Sequence, residues 1–144
     1  MDALWQTGAH CIVMEFPKEE RRTERPLISV VDDDESVRES LPDLIREFGF
    51  LARAFSSAEE FLTSDCVDQT RCLVLDVFMP GMTGPDLQRE LAVRQKHIPI
   101  VFMTGKKSEA ICTQTMEQGV VECLLKPFSD TSLLEAINSA LRTR

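Results

Sequence analysis

Five polar residues stand where short apolar runs end or are interrupted. Asp32 and Asp33 follow Leu27 to Val31, Asp76 breaks Cys72 to Val77, Thr104 follows Pro99 to Met103, and Lys126 follows Val120 to Leu125. If those runs are parallel strands, the five side chains converge in the crevice at the carboxyl ends of the sheet, where strand order reverses. Three carboxylates there repel, because like charges within about 4–6 Å raise one another's pKa. A hard divalent cation relieves that repulsion. Magnesium, or manganese in its place, takes one or two carboxylates, keeps several waters and bridges to phosphate oxygens, which suits Asp33 and Asp76. Lys126 adds a compact positive charge, Thr104 a hydroxyl that donates to a phosphoryl oxygen, and Gly105 leaves room beside it. The chemistry these residue types favour is phosphoryl transfer to a carboxylate.

Taken singly, most of these residues have ordinary explanations. Carboxylates at Asp32 to Asp34 favour a helix N-terminus, and Asp34 is assigned that capping role alone. Thr104 would serve at any strand end, and Lys126 before a proline would serve as a loop lysine. Asp76 is different, because an acid within Cys72-Leu73-Val74-Leu75-Asp76-Val77 has little structural reason to sit in a strand covered on both faces. Only together do these residues point to one phosphoryl site. The Lys126-Pro127 bond is a candidate for the cis form, which only proline makes accessible.

From Pro26 onward short apolar runs alternate with helical patterns, the mark of βα units and a parallel sheet. Leu27 to Val31 is followed by Glu35 to Phe48, whose Val37, Leu41, Leu44, Ile45 and Phe48 fall at helical spacing and which Gly49 ends. Pro42 lies inside that helix and removes one backbone bond. Leu51 to Phe55 is a second strand, and Ser57-Ala58-Glu59-Glu60 matches a capping box. After Cys72 to Val77 and the turn Met79 to Gly84, a third helix is expected over Pro85 to Arg94 with Pro85 at its first position. Pro99 to Met103, a fourth helix over Ser108 to Gln118, Val120 to Leu125, and a last helix capped by Ser129 or Asp130 and reaching about Leu141 complete five units. Residues 1–25 are read as a flexible extension, because Pro17 to Arg25 is polar and aperiodic.

The 144 residues, 43% of them hydrophobic, suffice for one domain with a sizeable core. The net charge is -8 and the 16 Lys and Arg are scattered, which argues against direct nucleic-acid binding. No run approaches a membrane span, and Met1 to Phe16 lacks the pattern of a signal peptide. The five cysteines, Cys11, Cys66, Cys72, Cys112 and Cys123, form an odd set without a C-x-x-C pair. They are expected to be reduced, mostly buried thiols in a reducing compartment, the cytoplasm.

Four stretches, Val30-Val31-Asp32-Asp33-Asp34, Leu75-Asp76 with Met79-Pro80-Gly81-Met82-Thr83-Gly84, Phe102-Met103-Thr104-Gly105, and Leu125-Lys126-Pro127-Phe128, give the chain its family likeness. From Leu27 to Arg142 it closely resembles the receiver domains of two-component response regulators, nearest to those of nitrogen-fixation regulators. The resemblance implies a flavodoxin-like α/β fold, a doubly wound five-stranded parallel sheet of order 2-1-3-4-5 with five helices, over residues 26–144. It implies that Asp76 accepts the phosphoryl group from a histidine kinase. Asp33, Asp76 and the main-chain carbonyl of Phe78 would bind Mg2+ (or Mn2+), with Asp32 assisting, while Thr104 and Lys126 hold the phosphoryl oxygens. The protein would catalyse only its own phosphorylation and dephosphorylation. It would signal to a partner protein, or form a phospho-dependent homodimer, through the face of helix four, strand five and helix five.

Three departures qualify that expectation. Cys123 replaces the aromatic residue usual three positions before the lysine, so output is expected through backbone shifts rather than a swinging ring. Phe78 and Lys106, each two residues past a site residue, occupy positions that in receivers influence how water reaches the acyl phosphate; a ring at 78 would slow its loss, whereas Lys106-Lys107 reads first as an ordinary solvated turn. The chain ends about fifteen residues after Phe128, so a stand-alone switch whose output is another protein is expected. The alternatives are a phosphate sink, a pseudo-receiver without phosphotransfer, and a small aspartyl-phosphate phosphatase; the last would need an acid where Phe78 stands.

Overall fold

A computed structural model describes residues 25–105 and 122–142. Most of the proposed extension (1–24), Lys106-Lys107 and the expected helix over Ser108 to Gln118 lie outside those residues. The strands are β1 (Leu27–Val31), β2 (Leu51–Phe55), β3 (Thr70–Asp76), β4 (Ile100–Thr104) and β5 (Glu122–Leu125). The α-helices are α1 (Glu35–Glu47), α2 (Ala58–Leu62), α3 (Gly84–Val93) and a C-terminal helix, Asp130–Arg142. All strand pairs are parallel and the sheet order is β2-β1-β3-β4-β5. The expected α/β topology is thus observed.

The apolar runs explain the centre of this sheet. Every residue of β1 and β4 is buried, and in β3 only Arg71 is exposed, because helices cover both faces of a parallel sheet and leave no polar side. Alternate residues then serve opposite cores. Leu73 and Leu75 join Val31, Phe61, Leu87 and Phe102 on one face, while Cys72 and Val74 join Val30, Ile45, Met103 and Ile137 on the other. Each fully buried aliphatic side chain contributes about 1.5–3 kcal/mol. A polar exception ties the two central strands: Ser29 Oγ lies 2.7 Å from Thr70 Oγ1, and Thr70 bonds onward to the Cys66 carbonyl, so both buried hydroxyls are satisfied.

Local signals set the helix boundaries. Asp34 caps α1 by accepting from Ser36 N–H, as read from sequence, and Gly49 at φ +101° supplies the left-handed residue that ends it. Pro42 does sit inside α1, buried, and the helix continues past it to Glu47. At α2 the capping expectation holds by half. Ser57 Oγ accepts from Glu60 N–H at 3.0 Å, but the Glu60 carboxylate reaches Ser56 N–H instead of that of Ser57. The reciprocal capping box belongs to α3, where Thr83 Oγ1 accepts from Asp86 N–H and Asp86 accepts from Thr83 N–H. This helix starts at Gly84, so Pro85 is second rather than first.

The cysteine expectation is corrected. Cys72 is a free, buried thiol, its pKa pushed up to about 12 by burial, but Cys66 and Cys123 are each disulfide-bonded. Spacing along the chain carries no information on such pairing, which depends on the distance between Cα atoms in the fold. Among the described residues, no helix is long and apolar enough to cross a membrane.

The capping box at Thr83 yields a direct prediction. Thr83→Ala removes a hydrogen bond at the start of α3 and should lower unfolding free energy by about 1 kcal/mol in urea denaturation, with unchanged m-value.

Candidate functional site

The parallel register brings the strand ends level. Val31 pairs with Leu75, Asp76 with Met103, and Thr104 with Leu125, so Asp32, Asp33, Asp76, Thr104 and Lys126 all lie at one edge. Carboxylate oxygens of Asp32, Asp33 and Asp76 lie within 4.8 Å of one another, with Asp33 exposed and the other two buried. Lys126 Nζ donates to Asp76 Oδ1 at 3.1 Å and to Asp32 Oδ2 at 3.3 Å. The ammonium comes from the far side of the sheet. Lys126 N–H bonds the Thr104 carbonyl at 2.7 Å, and the Lys126-Pro127 bond is cis.

Asp32 is held at both carboxylate oxygens and at its carbonyl. Its Oδ1 accepts from Asp34 N–H at 2.9 Å, its Oδ2 from Lys126, and its carbonyl from Arg38 Nη1 at 3.1 Å. Asp33 is exposed and therefore open to a ligand. The Thr104 side chain is buried, and its hydroxyl donates to the Gly105 carbonyl at 3.0 Å, a bond it must exchange to reach any oxygen in the crevice.

Electrostatics single out Asp76. Burial first, then the charge of Asp32, pushes its pKa up to about 6, against the opposing pull of Lys126. Burial disfavours charge on Lys126 as well, but the Asp76 and Asp32 carboxylates outweigh it and hold the ammonium above its ordinary value. One ammonium does not neutralise three acids. That imbalance, on a set of hard oxygen donors, fits a divalent cation shared by Asp33 and Asp76.

Two residues that shape this edge have no polar atom to advertise them. A Cβ on Gly84 would stand 2.6 Å from the Asp76 carbonyl oxygen and 2.7 Å from the Phe102 ring, so only glycine lets α3 start this close to the end of β3. Gly81, at φ +77°, turns the loop between them. Both fall in the Met79 to Gly84 motif, which was the available signal. Arg38, holding the Asp32 carbonyl, had no signal beyond being a helical basic residue. Phe78, two residues after Asp76, is 52% exposed. At position 123 the disulfide fixes Cys123 covalently where a ring would swing.

Residues 28–138 match the family model of the response regulator receiver domain. Nodulation protein W of Bradyrhizobium diazoefficiens is 46% identical over 116 residues, 81% of this chain and 51% of that protein. The response regulator protein TmoT of Ectopseudomonas mendocina is 40% identical over 81% of this chain and 53% of its own length. The chain thus spans about half the length of the curated relatives it matches. Among solved structures, the response regulator StyR superimposes with a TM-score of 0.76 at 43% identity, covering 83% of this chain and 60% of that one. FixJ-N gives 0.76 at 34% identity, covering 84% and 97%.

The raised pKa of Asp76 carries a stability prediction. A carboxylate displaced upward opposes folding once ionised, so this cost is absent near pH 4 and grows as pH rises through about 6. In chelator at pH 8, Asp76→Asn should therefore be more stable than wild type by about 1–3 kcal/mol. The difference should shrink toward pH 4, as followed by urea denaturation at both values.

Proposed function

Because the chain belongs to the response regulator receiver domain family of two-component systems, we propose that it is a phosphorylation switch whose acceptor is Asp76. The observation that carries this reading is the convergence of three carboxylates within 4.8 Å around the Lys126 ammonium. Asp33, Asp76 and the main-chain carbonyl of Phe78 would hold Mg2+ or Mn2+, with Asp32 assisting. When bound, that cation supplies neutralising charge for the carboxylates and the phosphoryl oxygens.

The remaining work falls to side chains. An Asp76 carboxylate oxygen forms the new O–P bond as the P–N bond of the donor, a phosphohistidine of a histidine kinase, breaks in line. The electron pair returns to the imidazole nitrogen. Lys126, already 3.1 Å from Asp76 Oδ1, stabilises charge on the transferred oxygens. Thr104 exchanges its bond to the Gly105 carbonyl for one to a phosphoryl oxygen, which draws the end of β4 inward. The Thr104 carbonyl is bonded to Lys126 N–H, so the end of β5 moves with it. The only chemistry is on Asp76 itself; no separate substrate is turned over.

Output, in this reading, is contact with another protein or a second copy of the domain across β5, the C-terminal helix and the segment between β4 and β5. The net charge of -8 speaks against nucleic acid as this domain's own partner. A cytoplasmic location rests on the family alone, because disulfides at Cys66 and Cys123 withdraw the reduced-thiol argument.

Incubation with acetyl phosphate and Mg2+ should add one phosphoryl mass to the intact protein, and Asp76→Asn should abolish the adduct. An equal adduct on Asp76→Asn would remove Asp76 as acceptor. The exposed Phe78 ring should hinder water at the acyl phosphate, so the phosphoprotein should decay more slowly than its Phe78→Asn counterpart; a half-life equal to or shorter than that of the variant contradicts the shielding role.

A further inference from the structure

The loop from Val77 to Thr83 joins the acceptor strand to α3. Its ends are fixed by backbone bonds: Val77 N–H to the Met103 carbonyl at 3.1 Å and Gly84 N–H to the Val77 carbonyl at 2.9 Å. Just before α3 it has a side-chain hold as well. Met82 N–H donates to Glu59 Oε2 at 3.2 Å, a side chain of α2 that is 23 residues distant in sequence. The same oxygen would lie 3.1 Å from a Cβ at Gly81, so the carboxylate sits close against the turn. Glu59 belongs to the first turn of α2 yet takes no part in its capping, which Ser57 and Glu60 perform. Its carboxylate is thus spent on a neighbouring loop and not on its own helix.

We propose that Glu59 is a positioning residue for the cation site: by gripping Met82 N–H beside the left-handed Gly81, it fixes the loop conformation from which Phe78 offers its main-chain carbonyl. This rests on the reading of Asp33, Asp76 and Phe78 as metal ligands. Glu59 is not one of the three clustered carboxylates; it would act through the backbone of the loop. Losing the bond lets the loop sample other conformations, and metal binding must then order it again.

The test is calorimetric titration of Mg2+ and of Mn2+ into unphosphorylated wild type, Glu59→Ala and Glu59→Gln, with amide exchange at Met82 measured in the metal-free proteins. The loss of one hydrogen bond of this kind should weaken binding about threefold to tenfold in Glu59→Ala, with faster exchange at Met82. Glu59→Gln keeps an acceptor oxygen and should stay within about twofold of wild type on both measures. Unchanged affinity in Glu59→Ala, or an equal loss in both variants, overturns the proposal; the second result would mean that only the charge of Glu59 matters. Absence of binding to wild type would instead overturn the metal reading itself, and the inference with it, and is distinguishable because it appears before any substitution is made.

Discussion

A buried carboxylate needs a partner, and here two buried carboxylates on adjacent strands share one. Lys126 reaches Asp32 and Asp76 from β5, two strands away from β3, at 3.3 and 3.1 Å. Without that ammonium, Asp76 would face Asp32 in a poorly solvated crevice, and the neutral form of Asp76 would be favoured further. Much of the architecture serves this one contact. The parallel sheet brings the strand ends level, and the bond from Lys126 N–H to Thr104 anchors the lysine's own backbone. Two hydrogen bonds on the Asp32 carboxylate, with a third on its carbonyl, leave that residue little freedom.

Balance at the site is deliberately incomplete, in the sense that the lysine satisfies Asp32 while Asp76 remains above its ordinary pKa. An acid held in that condition gains from whatever positive charge or charge-neutral substitution arrives. In the proposed reading a cation would add that charge, and phosphorylation of one oxygen would move negative charge outward onto the phosphoryl group, so both would start from the same electrostatic condition.

Much of this was legible in the sequence because it depends on order along the chain. Uninterrupted apolar runs marked strands covered on both faces, and the polar residue ending each run marked the crevice. Periodicity outweighed Pro42, since a helix with buried Leu41 and Ile45 gains more from packing than one missing backbone bond costs. What could not be read depends on distance in space. Glu59 and Met82, Gly84 and the Asp76 carbonyl, and the disulfides at Cys66 and Cys123 join residues whose spacing has no period. The capping box shows the same limit at short range. Ser57 to Glu60 and Thr83 to Asp86 both present a hydroxyl with an acid three residues on, and only backbone geometry decides which pair closes reciprocally.

The contact between Lys126 and Asp32 spans 94 residues, and this separation gives the site a place in time as well as in space. During synthesis both aspartates of the pair, and the strands that carry them, exist well before the lysine does. Long-range pairing forms late because its loop-closure entropy is met before any contact is made. A chain arrested before β5 docks can present the acids but not their counter-charge. Completion of the crevice therefore waits on the docking of β5, the last strand of the sheet in chain order.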